Sequence, residues 1–100
     1  MTKVINTPED SEEGALLLLL SEEVSDAFAA GDRTLVEAFS EGIQVKSLKP
    51  VFTIAPGKEK VARKHNLHRW FKVEFEGMDK SVAAARLTTF SDVVKVQYNK

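Results

Sequence analysis

Gly14-Ala15-Leu16-Leu17-Leu18-Leu19-Leu20-Ser21 is the stretch whose reading decides the fold. Leucine favours helices, so propensity alone points to one. The apolar run is only six residues long, however, and lies between a glycine and a serine suited to capping a helix. A helix needs roughly 10 residues or more, whereas a strand buried on both faces reads as a short continuous apolar run. Residues 15–20 are therefore expected as a strand. They are far too few to span a bilayer, which takes about 20 residues. Acids rather than Lys or Arg precede them, which does not fit a signal peptide.

Outward from this run the elements follow in order. Ser21 with Glu22 and Glu23 opens a helix, a capping hydroxyl followed by acids at the positive helix end. Val24, Ala27, Phe28, Leu35, Ala38 and Phe39 recur at helical spacing, with Gly31-Asp32 interrupting and Asp32 able to cap a second short helix. Gly42 closes the segment. Ile43–Ile54 begins as an alternating strand, and Pro50 makes it an edge strand or one bulged there. Pro56-Gly57 is a turn, and 58–65 holds about one helical turn with Val61 and Ala62 inward. Arg69–Glu76 (RWFKVEFE) is the clearest strand, with Phe71, Val73 and Phe75 on one side and Trp70, Lys72, Glu74 and Glu76 on the other. Gly77-Met78-Asp79 caps a helix striped by Ala83, Leu87 and Phe90, and Val93–Tyr98 is the last strand.

Strand–helix–strand taken twice predicts an α+β, ferredoxin-like βαββαβ sandwich: a four-stranded antiparallel sheet with two helices on one face. Residues 1–13 read as a flexible acidic tail and 14–100 as a single domain. The other sheet face has no element left to cover it. Leu17 and Leu19 fall there by parity, as does Trp70, beside Lys72 and Glu74. Such a face resembles a protein interface more than a solvated surface. The competing reading packs Trp70 over an edge, or folds 55–68 across the open face.

Composition narrows the function classes. The 100 residues contain no cysteine, which excludes disulfides, thiolate nucleophiles and cysteine-ligated zinc. Net charge is −1, yet residues 1–41 carry ten acids against Lys3 and Arg33, so 42–100 is correspondingly basic. His65 and His68 lack nearby co-ligands and read as exposed. No serine sits in a nucleophile elbow, and no phosphate-binding glycine loop is present. Glu74 and Glu76 share a strand face with nothing to build a pocket around them. Neither an enzyme nor a cofactor is expected. The rival is RNA binding, since 58–72 holds Lys58, Lys60, Arg63, Lys64, Arg69 and Lys72 against Glu59. Against it, RWFKVEFE lacks the glycines and spaced aromatics of RNA-binding sheets. An adaptor or self-associating domain using the same face is a third class.

Ala62-Arg63-Lys64-His65-Asn66-Leu67-His68-Arg69-Trp70-Phe71-Lys72-Val73, then Gly77-Met78-Asp79, Val82–Leu87 and Val93–Asn99, resembles the N-terminal prodomains of subtilisin-like serine proteases, most closely the fervidolysin-type branch. Asn66 stands where that family more often has glycine, and Tyr98 where it often has proline. The resemblance implies a folding catalyst and inhibitor of a subtilisin-type protease. Its open sheet face would pack on two surface helices of the enzyme, with its C-terminal tail in the cleft. Carried over by position, Trp70, Lys72 and Glu74 lie on the contact face, and Tyr98, Asn99 and Lys100 begin the tail. The partner is then a protease domain in cis or in trans, with no membrane or nucleic acid, and the chain is a monomer when alone. Localisation stays open, cytoplasmic if Met1 is the native start.

Overall fold

A computed structural model describes residues 3–100. The leucine run is β1 (Ala15–Leu20), one of the two inner strands of a four-stranded sheet in the order β2-β3-β1-β4. It pairs antiparallel with β3 (Trp70–Glu76) on one side and β4 (Val93–Tyr98) on the other. β2 (Gln44–Pro50) pairs antiparallel with β3 and forms one outer edge, β4 the other. This is the α+β, ferredoxin-like arrangement expected from the order of elements.

The helix layer is richer than two helices. The interruption at Gly31-Asp32 separates α1 (Glu22–Ala29) from α2 (Thr34–Ser40). Ser21 caps α1, its Oγ accepting from the Val24 amide at 3.3 Å. Asp32 accepts from the Thr34 amide and hydroxyl at 2.8 and 2.6 Å, one residue before Arg33, which holds the N-cap position of α2 without a side-chain cap. α3 (Glu59–Lys64) and a 3₁₀ turn (Leu67–Arg69) fill the β2–β3 connection, and α4 (Lys80–Leu87) follows Asp79, whose carboxylate accepts from the Ser81 amide. Leu16, Leu18 and Leu20 meet Phe71, Val73, Phe75, Val93 and Val96 in the core on this side of the sheet. Phe28 of α1 stands edge-on to Phe71 with ring centroids 5.1 Å apart, and Phe39 of α2 does the same to Phe90 at 4.9 Å.

Several expectations change. The strand expected over Ile43–Ile54 stops at Pro50, and its bulge lies at Lys46, where the register shifts between Val45 and Ser47. Proline is tolerated on β2 because the strand is at an edge. Val61 does not point inward: it is 52% exposed, while Ala62 is buried. His68 is not solvent-exposed either; its side chain is 11% accessible.

Residues 3–13, read from their polarity as a flexible tail, are laid along the free edge of β4; Met1 and Thr2 lie outside the described residues. Val4 bridges Val96 in parallel, with Ile5 N–H donating to the Val96 carbonyl and Val96 N–H to that of Lys3. Asn6 then uses its side-chain amide as an extra peptide group. Nδ2 donates to the Tyr98 carbonyl at 2.9 Å, and Oδ1 accepts from the Tyr98 N–H at 2.7 Å. An outer edge that would otherwise invite a foreign strand is occupied by the chain itself.

A candidate protein interface on the open sheet face

Register assigns the second face of the sheet. Ala15, Leu17 and Leu19 of β1 stand opposite Glu74, Lys72 and Trp70 of β3, and Leu17 and Leu19 also stand opposite Gln97 and Lys95 of β4. Ser47 and Lys49 of β2 pair with Glu74 and Lys72 and complete the face. The helices do not reach it. Residues 59–69 pack against α1 instead, where Arg63 bonds Glu22 at 2.6 Å and Asp26 at 2.8 Å. The 55–68 segment therefore leaves the open face uncovered.

The face is less greasy than parity suggests. Ala15 is 1% and Leu19 7% exposed, while Leu17 and Trp70 are half-buried. Directly paired residues on one sheet face bring their Cβ atoms within about 5 Å, so the bulk of Trp70 and the alkyl stems of Lys72 and Lys95 shield the leucines between them. Its charged groups are mostly engaged. Lys72 meets Glu12 at 3.0 Å, Glu74 accepts from the Ser47 hydroxyl at 2.9 Å, and Glu76 accepts from the Gln44 amide at 3.1 Å. Hydrogen bonds from Lys72 and then Asn99 hold the Glu12 carboxyl below its ordinary value. The result is a strip of Leu17 and Trp70 bordered by one ion pair and two hydrogen-bonded carboxylates.

Of the residues singled out from sequence, Leu17, Leu19, Trp70, Lys72 and Glu74 come together on this face. Tyr98 and Lys100 do not, while Asn99 reaches its margin by sharing a Glu12 carboxylate oxygen with Lys72. Tyr98 lies opposite Leu16, on the helix side, and is buried in the core. Burial, followed by the charge of Asp79, raises its phenol above the ordinary value. Asn99 is tied back to residue 12: its carbonyl accepts from the Glu12 amide at 2.7 Å, and its side chain donates to the Glu12 carboxylate. Lys100 reaches the Thr7 hydroxyl. The basic run 58–72 is likewise partly spent, since Arg63 serves α1, Lys72 serves Glu12, and Arg69 donates to the Leu20 carbonyl at 2.7 Å.

Sequence reasoning overlooked a second surface, on the helix side. A groove of about 690 Å³ is lined by Phe28, Arg33, Lys49, Phe52, Ile54 and Phe71 among others. Its sequence signal was the pair Phe52 and Ile54, apolar residues placed just after the proline that ends β2. Among the described residues, no group of three or more His, Asp or Glu could hold a metal ion, and no helix is long and apolar enough to cross a membrane.

The architecture defines an α+β domain with one helix-covered and one bare sheet face. Compared with protein-family models, curated proteins and solved structures, the chain matches none of them.

Proposed function

We propose that this chain is a prodomain-like module that docks through its bare sheet face onto a subtilisin-type serine protease, assisting its folding and restraining its activity. The observation that carries this reading is the strip of Leu17 and Trp70 on a face that no helix covers and that the N-terminal segment touches through Glu12. A sheet surface of this size offers about 800 Å² to a partner, the standard for a specific complex. Asn66 lends support of another kind. It sits in the left-handed region, φ 59°, at the position where the resembled family more often has glycine. Glycine and asparagine are the residues that enter that region most readily, so the departure in residue type keeps the same backbone turn.

Docking by the face is favoured over filling the cleft with residues 98–100, because these are engaged by residues 6–12. The test is to titrate the domain into a subtilisin-type protease and follow both complex formation and cleavage of a small peptide substrate. Binding at micromolar concentration or tighter, lost in Leu17→Glu and weakened in Trp70→Ala, is expected. No binding at these concentrations, or equal binding by Leu17→Glu, sinks the reading.

A further inference from the structure

The segment that edges β4 also reaches the bare sheet face. Residues 11–13 straddle the end of the sheet beside Asn99, with one acid directed to each side. On the helix side Glu13 pairs with Lys80 of α4, whose Nζ also donates to the Ser11 carbonyl at 3.0 Å. On the bare side Glu12 pairs with Lys72 at 3.0 Å. The same Glu12 oxygen accepts from the Asn99 side chain at 2.7 Å, and the Glu12 amide donates to the Asn99 carbonyl at 2.7 Å. The carboxylate is therefore aimed at Lys72 by bonds to the end of β4.

Lys72 needs an anion at this place. Register sets it directly opposite Lys49 of β2, and like charges directly opposite destabilise a sheet. The nearest acid on its own strand, Glu74, accepts from the Ser47 hydroxyl, so the anion that Lys72 meets comes from Glu12. Leu17 stands opposite Lys72 on the other side, which puts the ion pair beside the apolar strip. Yet the hold is slight. The Glu12 and Lys72 side chains are 41% and 33% accessible, and exposed ion pairs of this kind contribute little and weaken with salt. Val4 packs against the core, but Ile5 is 48% exposed. A protein that carries a carboxylate beside an apolar patch offers Lys72 the same bond and covers the strip as well.

We propose that Glu12 is a built-in competitor for the bare face. It holds Lys72 as a partner's carboxylate would, and a docking protein displaces it with an Asp or Glu of its own while covering Leu17 and Trp70. This restraint acts on the docking proposed above and rests on that reading.

The test compares the full chain with Glu12→Gln, which keeps an acceptor for Asn99 and removes the charge, and with Glu13→Gln as a control on the α4 side. Both positions are exposed, so the fold is expected to survive. Acetylation by a limiting acyl ester, followed residue by residue by mass spectrometry, reads Lys72 without any partner. Lys72 should react about two- to fivefold faster in Glu12→Gln, the range that loss of an exposed ion pair corresponds to, and at the parental rate in Glu13→Gln, with Lys60 as internal reference. Titrated into a subtilisin-type protease, Glu12→Gln should bind about two- to fivefold more tightly than the parent, and Glu13→Gln equally. In a Lys72→Gln background the Glu12→Gln gain should vanish. Unchanged Lys72 reactivity in Glu12→Gln, equal affinity of Glu12→Gln and parent for the protease, or a gain that survives Lys72→Gln would each overturn the restraint. Faster Lys72 acetylation with no protease binding by any of these proteins would sink the docking reading and leave Glu12 established as the cap on Lys72.

Discussion

Replacing Asn6 by alanine isolates the clip that holds residues 3–13 to β4. The side chain makes two bonds to one peptide unit of the sheet, 2.9 Å to the Tyr98 carbonyl and 2.7 Å from its N–H. A hydrogen bond of this kind is worth about 0.5–1.5 kcal/mol net. Both are part-buried, so water replaces them only in part, and the pair is worth about 1–2 kcal/mol. With a urea slope of about 1.5 kcal/mol/M for a domain of this size, the midpoint should fall by roughly 1 M at unchanged slope. Asn6→Asp, which would set a carboxylate oxygen against the Tyr98 carbonyl with no donor between them, should cost at least as much. The Tyr98 amide should lose hydrogen-exchange protection in Asn6→Ala, while the Leu18 amide, deep in the sheet, keeps its protection relative to global unfolding. An Asn6→Ala midpoint within experimental error of the parent would refute the clip and return residues 3–13 to the mobile tail that their polarity suggests.

Leu18→Ala, at a fully buried site in the middle of β1, should destabilise by about 2–5 kcal/mol in the same urea assay, whereas Leu17→Ala on the open face should cost well under half of that. Gly14→Ala should be more harmful than Gly31→Ala. Both glycines have positive φ, but an added Cβ at Gly14 would meet the Phe75 carbonyl at 3.0 Å and at Gly31 would meet nothing within 4 Å. Stability should fall on acidification. The Asp26 carboxyl is held below its ordinary value of 3.8, chiefly by the hydrogen bond from Arg63. A depressed carboxyl contributes stability above the unfolded-state value and loses it as pH drops through the folded one. The acid limb therefore begins near that ordinary value, is shallower in high salt because the pair is exposed, and loses the Asp26 share in Arg63→Ala. Urea midpoints that stay level across that limb would contradict the pairing.

What the chain disclosed in advance followed from periodicity and punctuation. Phe71, Val73 and Phe75 alternate strictly, and all three are buried on one face. The leucine run was settled as a strand by its length and its flanks, against leucine's own preference. Asp79 and Ser21 cap the helices their positions announced. What escaped depends on partners distant in sequence. Nothing local marks Asn6 as the complement of Tyr98, or Glu12 as the partner of both Lys72 and Asn99. Parity placed Leu19 on the open face but could not tell how far its cross-strand neighbours would cover it. Val61 was placed inward because a six-residue helix such as α3 has too few positions for a clear apolar stripe.

The inner position of β1 has a consequence for biogenesis. Leu19 must wait for Trp70 and Lys95 before either of its flanks is satisfied, so the most apolar segment of the chain is made early and paired late. A nascent chain that has emerged only as far as α3 presents an unpaired Ala15–Leu20 strand with two open edges, the kind of short, uncharged segment that nucleates cross-β assembly. Glu12, Glu13, Glu22 and Glu23 flank it closely on both sides. Those acids act as gatekeepers, their mutual repulsion keeping two half-made chains from zipping together until β3 and β4 arrive.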